Sequence, residues 1–155
     1  MRIGIATSPD GMHLHRVATS GAAAAASGVS GTGGALLALH DRVTDDLFVA
    51  WPRVLTPSML DRATPAAASH PAQATLPQHL WLMTYSAMSS ASPSCILLAS
   101  SPNGLSWTRH GPILSPGAPG AWDAAGVGRR HVTVHAGVLA MWYAGVGGMG
   151  GMALG

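Results

Sequence analysis

The densest run of groups able to do chemistry lies between Trp122 and His131, where Trp122, Asp123, Arg129, Arg130 and His131 share one short segment. An Asp carboxylate can move a proton or accept hydrogen bonds, and an indole offers a flat apolar ring. Adjacent arginines can hold a carboxylate or a phosphate through paired hydrogen bonds. The blander roles stay open beside these: a turn or cap for Asp123, and packing or solvation for the two arginines.

Carboxylates are scarce elsewhere. All six acidic residues are Asp and the chain has no Glu. Asp10 sits in a turn sequence, which leaves Asp41, Asp45, Asp46, Asp61 and Asp123 as candidates for acid or base work. The eight histidines include His13-x-His15 and His131-x3-His135. The first pair shares a strand face, the second has helical spacing in a strand-like segment, and neither has a third ligand nearby, so no metal is expected. Gly145-Val146-Gly147-Gly148-Met149-Gly150 matches the Gly-x-Gly-x-x-Gly of dinucleotide-binding turns. The helix and distal acid that such a site needs do not follow, so the remote alternative of a dinucleotide-binding protein is weighed and no cofactor is expected.

Charge and composition narrow the partners. The eight basic residues are all Arg, scattered from Arg2 to Arg130 without a stripe that could follow a phosphate backbone, which argues against nucleic acid. No apolar run approaches the roughly 20 residues needed to cross a bilayer, and Met1-Arg2-Ile3-Gly4 leads into strand-like sequence without a signal-peptide core. The chain reads as soluble with no membrane partner, its compartment unassigned and its true start open. Cys95, the single cysteine, lies in an apolar run and reads as a small core residue.

The elements that must position these groups emerge from an internal repeat. Ile3-Gly4-Ile5-Ala6-Thr7-Ser8-Pro9-Asp10-Gly11 returns as Ile96-Leu97-Leu98-Ala99-Ser100-Ser101-Pro102-Asn103-Gly104 at a constant offset of 93. Met83-Thr84-Tyr85-Ser86 returns as Met141-Trp142-Tyr143-Ala144 at an offset of 58. Fixed-period similarity marks propellers and solenoids. Each unit reads as a β-hairpin: an apolar strand, a turn of Ser8-Pro9-Asp10-Gly11 or Ser101-Pro102-Asn103-Gly104, and a second short strand. Pro presets φ in such a turn, Asp or Asn bonds back to the backbone, and Gly takes the left-handed conformation. Trp51, Trp81, Trp107 and Trp142 fall in strand-like segments and are expected to pack between units.

Two tracts break the spacing, a Ser/Ala/Gly run at about 19–34 and a Pro/Ala-rich run at about 52–77. Both read as low-complexity insertions. Gly34–Leu39 and Asp46–Trp51 read as weak strands of a middle unit.

The hairpins Ile5–Gly11 and Leu98–Trp107 resemble the blade hairpins of the five-bladed glycoside hydrolases related to arabinanases, levansucrases and invertases, families 43, 32 and 130. The resemblance continues through Gly111–Leu114, Trp122–Val132 and Val138–Gly145. It covers residues 81–155 well, residues 2–17 clearly and the middle poorly. It implies an all-β fold, a partial β-propeller of the five-bladed type with antiparallel blades, of which 1–155 forms a fragment of two to three blades.

What the resemblance implies for chemistry is a set of carboxyl groups: an Asp base, a Glu acid and a supporting Asp in an Arg-Asp-Pro triplet. Here the corresponding triplet reads Arg129-Arg130-His131, so Arg130 stands in place of Asp. The expectation is a carbohydrate-processing or carbohydrate-binding propeller that is catalytically incomplete in this chain, with Asp123 the candidate catalytic residue. Trp122, Arg129, Arg130 and His131 are candidates for contacting a carbohydrate, one that is anionic or phosphorylated if the arginines serve as ligands. The alternative is a non-catalytic propeller interaction module.

Overall fold

The computed structural model describes residues 3–17, 35–37, 47–63, 79–135, 138–147 and 152–154. Their architecture is all-β, with antiparallel sheets and a single short helix among them. The Ser/Ala/Gly tract lies outside the described residues.

The centre is a four-stranded antiparallel meander of β5 (Phe48–Leu55), β6 (Trp81–Met88), β7 (Cys95–Ser101) and β8 (Thr108–Leu114), each strand paired with its sequence neighbours. This is the strand order of a propeller blade. Strand β6 is buried along almost its whole length, so both of its faces must be covered. One face carries Met83, Tyr85 and Ala87, which join Val49, Leu97 and Trp107 in a cluster closed by Ile3. Burial of each large apolar side chain there contributes about 1.5–3 kcal/mol. The opposite face places Leu82 beside Leu55 and Val132, with Met59, Leu60, Leu139 and Met141 packed around them.

The covering layers come from the flanking units. Before the meander, β1 (Ile3–Gly4) pairs with β4 (Ala35–Leu37), and β2 (Ala6–Thr7) pairs with β3 (His15–Arg16). After it, β9 (Gly126–His135), β10 (Val138–Val146) and β11 (Met152–Leu154) form a three-stranded antiparallel sheet. Three layers thus follow chain order. Of the two weak strands expected in the middle unit, the one at 46–51 is the first part of β5, whereas the one at 34–39 is β4, which pairs with β1 in the first unit instead.

One boundary differs from the sequence expectation. Composition predicts a Pro/Ala-rich insertion from residue 52, but β5 continues through Pro52 to Leu55 and is followed by helix α1 (Pro57–Leu60) and a 3-10 turn, Asp61–Ala63. Pro52 is tolerated because it sits in a bulge, where the ladder does not need its missing N–H. Pro57 opens the helix, where its fixed φ is already helical. Residues 64–78 lie outside the described residues.

The outer strand β8 is kept from pairing further by irregularity: its register with β7 slips twice, and it carries Gly111 at φ 85 and Pro112.

Candidate functional site

The hairpin turns show how side chains fix local geometry. Ser101 Oγ accepts the N–H of Gly104 at 2.8 Å, while Asn103 Oδ1 accepts those of Leu105 and Ser106 at 2.9 Å. Trp107 Nε1 donates to Gly104 O at 3.0 Å, folding its indole onto the turn. In the first copy Asp10 Oδ1 accepts the N–H groups of Met12 and His13 at 2.9 Å, and Ser8 Oγ donates to it at 2.7 Å. Gly11 and Gly104 both lie at φ 75, a value that excludes a side chain at low cost. His13 Nδ1 lies 2.6 Å from Asp10 Oδ2, and this contact, followed by the backbone and Ser8 bonds, holds the Asp10 carboxyl well below the usual carboxylate range.

The residues from Trp122 to His131 separate into four groups. Asp123 is buried, 6% exposed, and its Oδ2 accepts the Tyr143 hydroxyl at 3.2 Å. Trp122 stacks on Tyr143 with ring centroids 5.4 Å apart. Burial, and then the charge of Asp123, push the Tyr143 phenol upward. Gly145 lies beneath this group: a Cβ there would come within 2.5 Å of Asp123 Cβ and collide with the Trp122 ring. Gly145 is therefore a strand residue of β10, paired on both sides, with Val127 and with Ala153. That placement removes the dinucleotide-binding alternative, which requires the first glycine in a turn leading to a helix.

Arg130 is the second group, and its guanidinium is turned into the protein. It is 8% exposed, and its guanidinium reaches back from β9 into the meander. Nε donates to Thr84 Oγ1 at 3.1 Å, Nη1 to Ser86 Oγ at 2.7 Å, and Nη2 to the carbonyls of Trp51 and Thr84. Four of its five N–H donors are spent on these acceptors. None of the four is a carboxylate, and burial lowers its pKa to about 10.

Arg129 forms the third group, with a partner that the sequence reading assigned to packing. Its guanidinium lies over the Trp51 ring, 5.8 Å from the centroid, and Phe48 meets Trp51 edge-on at 5.6 Å. Trp51 is 48% exposed rather than packed between layers. The reason is a pair of matching bulges. Between Ala50↔Ser86 and Arg53↔Thr84, two residues, Trp51 and Pro52, oppose the single Tyr85. Between Trp142↔His131 and Ala144↔Gly128, Arg129 and Arg130 oppose the single Tyr143. Tyr85 and Tyr143 stand at the same offset of 58 that marks the repeat. At both bulges the first residue is left-handed without being glycine, with φ 51 at Trp51 and φ 41 at Arg129. Such strain, about 1–3 kcal/mol per residue, persists only where the surroundings enforce it, and it clusters at functional positions.

His131 is exposed and stands opposite Trp142, which is also exposed, on the far face of the last sheet. Asp123 and the Trp51–Arg129 pair share no hydrogen bond, ion pair or ring contact among the described residues. The signal that could have found Trp51 is its equivalence to Arg129, with Val49-Ala50 before one and Val127-Gly128 before the other.

No family model matches the chain, and no curated protein matches it. A solved structure named "Glycoside hydrolase" is similar, with a TM-score of 0.61 and 16% identity over 99% of this chain. The chain spans 34% of the length of that structure. At that identity the likeness is one of fold, and the chain has a glycoside-hydrolase-like all-β fold.

Proposed function

We propose that this chain is part of a propeller-type carbohydrate-binding protein on a glycoside-hydrolase scaffold, and that the Trp51–Arg129 pair is its sugar-contacting point. The observation that carries this reading is the presentation of Arg129 over Trp51 by two equivalent, strained bulges. A sugar ring stacks its C–H face on an indole, while a guanidinium whose N–H donors are bonded to no described residue can take a carboxylate or phosphate. The expected ligand class is therefore an anionic sugar, a uronate or a sugar phosphate.

Hydrolysis is not part of the proposal. It requires two carboxyl groups flanking the scissile bond. Asp123 is buried against Tyr143, and no second carboxylate faces it among the described residues. The place where the resemblance implies a supporting Asp holds Arg130, turned into the layer interface.

Isothermal titration with glucuronate and galacturonate oligosaccharides, glucose 6-phosphate and their neutral counterparts tests the reading. R129A should weaken anionic ligands by about tenfold or more, equivalent to about 1.4 kcal/mol, and leave any neutral binding unchanged. W51A should weaken both. Equal affinity for charged and neutral forms, or binding indifferent to both variants, would remove the proposal.

A further inference from the structure

The two halves of the Trp51–Arg129 pair come from different units, Trp51 from β5 and Arg129 from β9, and both are held left-handed without glycine. A tryptophan or an arginine adopts such a φ only at a cost, so neighbouring groups must enforce it. One side chain reaches both halves. Arg130 follows Arg129 in the chain, and its Nη2 donates to the carbonyl oxygen of Trp51. That carbonyl belongs to the strained residue itself, so fixing its direction fixes ψ of Trp51.

The rest of the guanidinium is anchored around the point where the β5 bulge forms. Nε and Nη1 donate to the hydroxyls of Thr84 and Ser86, and Nη2 also to the Thr84 carbonyl. Thr84 and Ser86 flank Tyr85, the residue that Trp51 and Pro52 together oppose. A planar fork bonded through all three of its nitrogens has one orientation. Arg53 makes a return connection, its Nε donating to the Val132 carbonyl at 3.3 Å, so β5 and β9 are tied in both directions beside their bulges. The contact between the Arg129 guanidinium and the Trp51 ring is worth less than the strain of either bulge, and cannot by itself hold the pair together.

We infer that Arg130 is the positioning residue of the Trp51–Arg129 site: from inside the protein it holds the two bulges in register and so sets the geometry of the pair above it. What the site binds rests on the sugar reading above; what Arg130 does rests on its hydrogen bonds. A site assembled in advance spares a ligand the cost of ordering it, so loss of the tie weakens every ligand of the site, charged or neutral. A purely electrostatic role for Arg130 would act on anionic ligands alone. A purely structural one would lower stability without changing the affinity of the folded protein.

The test compares R130M, R130K and L97A with the wild type at a temperature where each is folded by far-ultraviolet circular dichroism. L97A opens a cavity in the core on the opposite face of the meander and serves as the destabilised control. Isothermal titration with a uronate oligosaccharide and its neutral counterpart should show R130M weakened by about tenfold for both, although Trp51 and Arg129 are intact. R130K should be intermediate, and L97A should equal the wild type. Near-ultraviolet circular dichroism, taken as the difference between each protein and its W51F counterpart, isolates Trp51 and needs no ligand. R129A should change this signal in the wild type and leave it unchanged in R130M, where the pair is already parted. Wild-type affinity and a wild-type Trp51 signal in folded R130M would overturn the inference and leave the sugar reading standing. A loss confined to anionic ligands, or the same loss in L97A, would overturn it too. If the wild type binds no sugar, the sugar reading fails, and a Trp51 signal that is lost in R130M but kept in L97A upholds the positioning role.

Discussion

Replacing Arg130 with Met keeps the stem that runs between β9 and the meander and removes the fork at its end. Four acceptors lose a donor: the Thr84 and Ser86 hydroxyls and the Trp51 and Thr84 carbonyls. Hydroxyls rotate to find other partners, whereas the carbonyls are fixed, and leaving them unpaired costs about 1–3 kcal/mol each. The loss is offset in part because the native fold carries a guanidinium out of water with no carboxylate beside it among the described residues, a cost visible in its lowered pKa. The expected net loss is about 1–4 kcal/mol, read by urea unfolding followed by tryptophan fluorescence. R130K should recover only part of it, since a point-like ammonium cannot reach four acceptors spread over two strands. Trp51 adds a local readout: without the bond to its carbonyl, the left-handed bulge should relax, and the near-ultraviolet circular dichroism of Trp51 should change before global unfolding. An R130M protein as stable as wild type, with its Trp51 signal intact, would refute the clasp.

Two further outcomes follow from geometry and charge. G145A should destabilise by about 1–3 kcal/mol because its methyl group meets both Asp123 and Trp122, while G120A, on an open loop with nothing within 4 Å, should cost only the strain of its φ of 92, and comparison of their denaturation midpoints checks this. The first hairpin turn should loosen in acid: the Asp10 carboxyl is depressed in the fold, so its contribution is complete above the unfolded carboxylate range, near about pH 4, and is lost as pH falls below it. Amide exchange at Met12 and His13 should quicken there, while Leu105 and Ser106, held by the uncharged Asn103, stay protected; equal loss at both turns would contradict this assignment.

How much could be read in advance depended on the range of the interactions. The hairpin turns are encoded within four residues, and their bonds join positions two or three apart, so type and order suffice to see them. Alternating apolar strands punctuated by Gly and Pro identify an all-β chain in the same local way. The Trp51–Arg129 pair escaped because its left-handed bulges carry no glycine to announce them. Arg130 escaped for a related reason: a bulge reverses which face a strand residue takes, and nothing local tells Arg129 from Arg130. Its partners lie 44, 46 and 79 residues away, so only the assembled layers reveal that one arginine faces outward and its neighbour is locked inside.

That difference in range also sets an order of events along the folding pathway. The Ser101–Trp107 turn closes on itself through bonds no longer than three residues, and hairpins of this size form in about 1–10 μs. The Arg130 clasp forms only once β5, β6 and β9 are already side by side, after loop closures that are entropically costly. The clasp is therefore expected to form on the descent from the transition state rather than in the nucleus. Loss of these bonds in R130M should speed unfolding and leave refolding nearly unchanged, as stopped-flow fluorescence would show, and Arg130 would then act as a kinetic latch.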